Sequence, residues 1–182
     1  MARNIIDLPT LGDDGKLYRD TAVDMVESLI PNLWKSCHAP DLLELENGDL
    51  LCCWFAGSRE GNADISIAVA RLPADAEQWE QPVIVSDDPT RSEQNPSLFQ
   101  NPNGDIWLMY TAQATKKPDD NSDGSMQGTA EIRRKISRDG GRTWGPTEAV
   151  FSAARRFRCF PTDVGSSTTL SVRWTVPVWA AT

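Results

Sequence analysis

The feature that most limits what this chain can fold into is an internal repeat. His38-Ala39-Pro40-Asp41-Leu42-Leu43-Glu44-Leu45 leads into Asn47-Gly48-Asp49 and then Leu50-Leu51-Cys52-Cys53-Trp54-Phe55. Further on, Gln94-Asn95-Pro96-Ser97-Leu98-Phe99 leads into Asn103-Gly104-Asp105 and then Ile106-Trp107-Leu108-Met109-Tyr110. Pro40 and Pro96 stand 56 positions apart, and so do Asn47 and Asn103. Each copy reads as strand, Asn-Gly turn, strand, because Asn-Gly supplies the positive φ values that a tight hairpin needs.

Each copy then continues with two more strand-like runs. In the first, Ile65, Ile67 and Val69 alternate within 63–71, and Val83-Ile84-Val85 follows Trp79. In the second, 129–137 precedes Trp144, and Ala149-Val150-Phe151 comes after it. Four antiparallel strands per unit, at roughly the spacing of propeller blades, predict an all-β chain. The expected organisation is a leader over 1–35, blades over about 36–88 and 89–153, and part of a third over 154–182. Helical spacing over Asp20 to Ile30 predicts an N-terminal helix on the propeller rim, and the third unit is expected to include Arg173 to Trp179.

Charge narrows the partners. Eighteen Lys and Arg against 26 Asp and Glu leave a net charge of −8, which repels phosphate backbones, so nucleic acid is not expected as a partner. No apolar run approaches the roughly 20 residues of a membrane span, and the acidic N-terminus does not read as a signal peptide. Adjacent Cys52 and Cys53 point to opposite faces of a strand, which suits buried free thiols rather than a disulfide framework. Asn95-Pro96-Ser97 is disqualified as a glycosylation acceptor by its proline. Together these predict a cytoplasmic protein without cofactor or metal. Asp119-Asp120-Asn121-Ser122-Asp123-Gly124 begins like a calcium loop, but Ala130 stands where the twelfth-position Glu belongs, so it reads as a solvated insertion.

In the second unit, Ser137-Arg138-Asp139-Gly140-Gly141-Arg142-Thr143-Trp144 matches the Asp box, Ser-x-Asp-x-Gly-x-Thr-Trp, at each fixed position. The chain thus resembles the sialidase-like, Asp-box (BNR) β-propellers over roughly 36–151. The first unit keeps only Asp75 and Trp79 of the box. The resemblance implies six or seven blades in a complete ring, of which about two and part of a third lie here. It assigns Ser137, Asp139, Gly141, Thr143 and Trp144 a structural role.

Topology predicts where chemistry would gather. In a four-stranded meander the first and third turns share one end, so the Asn-Gly turns and the Asp box lie on one face. The opposite face collects His38, Arg59, Glu60 and Asp64 from the first unit, and Arg91, Glu93, Gln94, Asn95 and Gln113 from the second. The resemblance implies that a terminal acidic sugar binds on this face. Arginine forks, Arg59 or Arg91, would hold its carboxylate, with Glu93, Gln94, Asn95 and Gln113 around it. His38, Glu60 and Asp64 would be the proton-transfer groups. Each has a plainer reading: a structural histidine, an exposed Arg59–Glu60 pair, a loop-capping Asp64, and a solvated linker at Arg91 and Glu93.

Sialidases carry an Arg-Ile-Pro motif at the first inner strand, where this chain has His38-Ala39-Pro40. Histidine there is more like Asp-box propellers that act on uronate-linked sugars, rhamnosyl-glucuronate hydrolases and lyases among them. A non-catalytic carbohydrate-binding or scaffold propeller is the third reading. Two blades and part of a third leave sheet edges open, so the chain is expected to be inactive alone and to need further blades or a second chain to complete the ring.

Overall fold

The computed structural model describes residues 6–7, 12–20, 22, 25–115, 126–152 and 171–174, with backbone only at 6–7, 127 and 171–174. Its strands are β1 (Ile6–Asp7), β2 (Tyr18–Asp20), β3 (Met25–Leu29), β4 (Ser36–Glu44), β5 (Leu50–Gly57), β6 (Ser66–Leu72), β7 (Val83–Ile84), β8 (Arg91–Gln100), β9 (Ile106–Ala114), β10 (Glu131–Ser137), β11 (Glu148–Phe151) and β12 (Ser171–Trp174). They form three four-stranded sheets, β1-β2-β3-β12, β4-β5-β6-β7 and β8-β9-β10-β11. The last two are antiparallel meanders with β4 and β8 side by side as inner strands. They are the two repeat units as blades of a propeller-like fold.

Both hairpins close the same way. Leu45 N donates to Asp49 O at 2.9 Å and Gly48 N to Leu45 O at 2.8 Å; Asn101 N donates to Asp105 O and Gly104 N to Asn101 O, each at 2.8 Å. Gly48 and Gly104 take φ of 82° and 88°, a region that L side chains rarely adopt. The inner strands share a second irregularity. A bulge falls between His38 and Asp41 in β4 and between Gln94 and Ser97 in β8. Inside it Ala39 and Asn95, 56 positions apart, both hold positive φ, 53° and 50°. For alanine that conformation costs about 1–2 kcal/mol.

Strand alternation sends β5 into two cores. Leu51, Cys53 and Phe55 pack with Ile65, Ile67, Leu98, Ile106, Leu108 and Tyr110 between the blades. Leu50, Cys52 and Trp54 face the other way, with Ala68, Leu72, Leu17, Ile30 and Trp79. Each large side chain buried here contributes about 1.5–3 kcal/mol. Cys52 and Cys53 are buried free thiols, and burial pushes the Cys52 thiol up to about 12.

Polar ties add register. Asp41 accepts from Leu98 N at 2.7 Å and from the Ser97 hydroxyl at 3.1 Å, joining inner strand to inner strand. At the turn end, Arg71, 5% exposed, pairs with Asp49 and donates to Gly140 O. The turn from Ser137 to Trp144 is organised by Asp139, which accepts from the Ser137 hydroxyl (2.8 Å), Arg142 N (3.1 Å), Thr143 N (2.9 Å) and the Thr143 hydroxyl (2.5 Å). Those donors, the Thr143 hydroxyl foremost, hold its carboxyl well below the usual range. Gly141, at φ 84°, sits over Leu51 of the first blade, 2.6 Å from where its Cβ would be, so this turn is also a blade-to-blade contact.

Two sequence expectations are corrected. The segment read as a helix over Asp20 to Ile30 contains strand β3, paired with β2 and β12. Its apolar positions satisfy helical and extended spacing alike over so short a window, and sheet pairing decides. Gly15 N donates to Leu29 O, and Trp79 N to Gly15 O, docking this sheet on the first blade. The run from Arg173 was expected in a third blade; Ser171–Trp174 instead pairs with β3 beyond the first blade. Cys159, the possible calcium loop at 119–124 and most of 154–182 lie outside the described residues.

Candidate functional site

The face opposite the Asn-Gly turns is built from the start of β4, the loop after β5, and the link into β8. The β5–β6 loop is preorganised. Asp64 accepts from Ser58 N at 2.9 Å and from the Ser58 hydroxyl at 2.8 Å, while Asn62 donates to the Ser58 hydroxyl at 3.1 Å. Gly57 is required there, since a Cβ would stand 2.7 Å from Asp64 O. Asp64 thereby caps this loop. Arg59 and Glu60 project from it, both exposed.

His38 is exposed, its ring edge-on to Phe55 with centroids 5.6 Å apart at 76°. The bulge that follows lets His38 and Asp41, three positions apart, pair with Phe55 and Cys53 on one face of the sheet.

The second blade's contributors are arranged differently from the sequence reading, which had them at the surface. Glu93 is fully buried. It accepts from Asp88 N at 3.4 Å and faces Arg133 at 3.5 Å, with its own N–H bonded to Ile65 O. Burial pushes its carboxyl up, against the pull of Ser86, Asp88 N and Arg133. Gln94 and Gln113 are buried too, and Gln94 donates to the Ser92 hydroxyl. Asn95, half-buried in the bulge, reaches the Thr111 hydroxyl at 3.5 Å. Arg91 pairs with Glu131 at 3.1 Å and donates to Ala112 O and Thr129 O. Arg91, Gln94 and Asn95 are thus bonded within the second blade, and the Glu93 N–H reaches the first blade at Ile65 O.

Sequence reasoning missed the residue at the centre of that network. Arg133, 12% exposed, contacts Asp88 at 2.8 Å, Glu131 at 2.9 Å and Glu93. Thr90 and Arg133 hold the Asp88 carboxyl down at about 2. The available signal was Glu131-x-Arg133 on one face of a predicted strand, opposite the linker acids.

An open depression of about 480 Å³ lies beside this network, lined by Ala63, Asp64, Ser66, Asp87, Asp88 and Pro89. Its size is that of a small-ligand site. Its charged lining is carboxylate, which opposes an anionic sugar. Arg59 is the site arginine without an ion-pair partner among the described residues, whereas Arg91 is neutralised. Among the described residues, no three His, Cys, Asp or Glu side chains are grouped to hold a metal ion.

The BNR repeat-like domain family matches residues 48–169. Among solved structures, the chain is similar to "Hadza microbial sialidase Hz136" (19% identity, TM-score 0.54, covering 64% of this chain and 26% of that one). It is also similar to a protein of unknown function from Dyadobacter fermentans DSM 18053 (19% identity, TM-score 0.51, covering 66% of this chain and 38% of that one). The match thus spans well under half the length of either. No curated protein matches the sequence at a significant level. At such identities the likeness concerns the fold, and it agrees with the repeat, the paired bulges and the two meanders: the chain belongs to the BNR repeat-like family, with a sialidase-like propeller architecture.

Proposed function

We propose that the protein works on a terminal sugar of a glycan as a sialidase-like, glycan-active propeller, at the face where β4 begins. The observation that carries this reading is His38: exposed, set at a strained bulge of an inner strand, and oriented against Phe55. An imidazole there is a suitable proton donor or acceptor, with Arg59 and Glu60 on the adjacent loop for a carboxylate and a second proton. The turn around Asp139, read as an Asp box, is the scaffold and takes no part in chemistry. Arg59 supports the acidic-sugar form of the proposal, a sialate or the uronate of a rhamnosyl-glucuronate type substrate.

The test is turnover of fluorogenic sialosides and uronides by the whole natural protein. His38→Ala should lower kcat by about 10²–10⁴-fold with binding retained, the range of a lost general acid or base. Unchanged turnover would reject His38 as the proton-transfer group.

A non-catalytic carbohydrate-binding propeller is the second reading. It is favoured by Arg91 and Glu93 being engaged in internal ion pairs with Glu131 and Arg133 and by the acidic lining of the depression. Under that reading no glycoside is turned over, and calorimetry detects glycan binding that Arg59→Ala weakens.

A further inference from the structure

Strand register measures how far the depression lies from His38. Cys37, beside His38, pairs with Ala56 of β5, and Ala56 pairs with Ser66 of β6. Ser66 lines the depression, so the depression begins two strand spacings, about 10 Å, from the start of β4. Two linked sugar rings span such a gap. The ground between is the β5–β6 loop: Ser58 is bonded to Asp64, and Asp64 is also part of the depression's wall. The candidate face and the depression thus share the loop that carries Arg59 and Glu60.

The wall selects by charge. Asp88 is backed by Arg133 at 2.8 Å and Asp87 by Lys135 at 3.6 Å, and both cations lie deep, at 12% and 8% exposed. A cationic ligand has to compete with these resident partners for the same carboxylates. An anionic ligand meets the opposite fault, because the charged side chains of the lining are Asp64, Asp87 and Asp88. Hydroxyl chemistry fits. A carboxylate offers about four lone-pair sites, and among the described residues Asp87 uses Oδ1 alone, for the Thr147 hydroxyl at 3.2 Å and for Lys135. Its side chain is 76% exposed, which leaves Oδ2 to accept from a ligand hydroxyl. Ser66 adds a hydroxyl, while Ala63 and Pro89 offer apolar surface to the C–H face of a sugar ring.

We propose that the depression seats an uncharged sugar, the neighbour of an acidic one held at His38 and Arg59. The glycan taken is then an acidic terminal sugar linked to a neutral one, and runs of acidic sugars are rejected. The place of the acidic ring rests on the glycan-active reading proposed above; the neutral-sugar site stands without it.

Methyl glycosides of matched ring shape test it on the 182-residue chain. Glucose and galactose are the neutral probes, glucuronate and galacturonate the anionic ones, glucosamine and galactosamine the cationic ones. The readout is the backbone amide signals of Ala63, Asp64, Ser66, Asp87 and Asp88 in a proton–nitrogen NMR titration. At least one neutral probe should give saturable shifts there with a Kd in the millimolar range. Its uronate should bind at least about fivefold more weakly. Asp87→Ala should weaken the neutral probe about fivefold or more, and Asp87→Asn should narrow the gap to the uronate, with the remaining amide signals in place. Absence of saturable shifts with both neutral probes overturns the proposal, as does equal or tighter binding of a uronate or an amino sugar, or a site indifferent to Asp87→Ala. Neutral-sugar binding in a whole natural protein that turns over no glycoside rejects the catalytic reading and leaves this site standing. Turnover whose preference for a sugar over an aryl leaving group ignores Asp87→Ala rejects the depression as the neighbouring subsite.

Discussion

Two carboxylates a few residues apart in the linker and β8 answer pH in opposite directions. Asp88 is held down at about 2, so it stabilises the fold above its unfolded value near 4, and that contribution fades as pH falls through 2. Glu93 is pushed up by burial, so its ionised form opposes folding, and the cost is relieved as pH falls through its raised folded pKa toward about 4.3. Asp88→Asn should therefore lower the melting temperature at pH 7 and be nearly silent at pH 2. Glu93→Gln should remove any rise in stability seen as pH is lowered from 7 toward about 4.3, with the same melts as readout. Ala39 gives a backbone counterpart. Glycine there relieves left-handed strain of about 1–2 kcal/mol but adds about 0.5–1 kcal/mol of unfolded-chain entropy. Ala39→Gly is thus neutral to stabilising by up to about 1.5 kcal/mol in urea unfolding, while Ala39→Val is destabilising.

At the scale of elements, the turn around Asp139 couples local geometry to blade packing. Asp139→Ala strips four donors of their acceptor and should cost about 1–3 kcal/mol. Gly141→Ala should cost more than a turn alone explains, because the new methyl must displace Leu51. Chemical denaturation of both variants separates the two effects. The turn and hairpins were legible in the sequence because their signals are local: Asn-Gly at fixed offset, the glycines of the Ser137–Trp144 turn, and the alternation of Ile65, Ile67 and Val69 leading into β6. The strand at Met25–Leu29 was not, since its identity comes from partners beyond its own window, β2 and β12. The candidate face was legible only as a list of side chains brought to one end of two meanders. Which would be spent internally was not, because Arg91 meets Glu131, and Arg133 meets Asp88, across some 40 residues of chain.

For the whole molecule, the first blade lies between two apolar cores, one shared with the N-terminal segment through Leu17 and Ile30 and one shared with the second blade. Stability is then cooperative only as far as those interfaces are. Leu51→Ala, in the interface under the Asp139 turn, should cost about 2–5 kcal/mol. Trp79→Ala, in the other, should cost about 3–5 kcal/mol. Should the sheets separate one at a time, the two losses will show in different transitions of a denaturation curve.

Cys52 and Cys53 give that question a clock. Neighbours on one strand, they face different interfaces, Cys52 toward the N-terminal sheet and Cys53 toward the second blade. Each reacts with a thiol reagent only when its own side opens, so mass spectrometry of a labelling time course reads two opening equilibria in one experiment. Equal rates mean the three sheets part together; faster modification of Cys52 means the N-terminal sheet peels away first, leaving the pair of blades as the persistent unit.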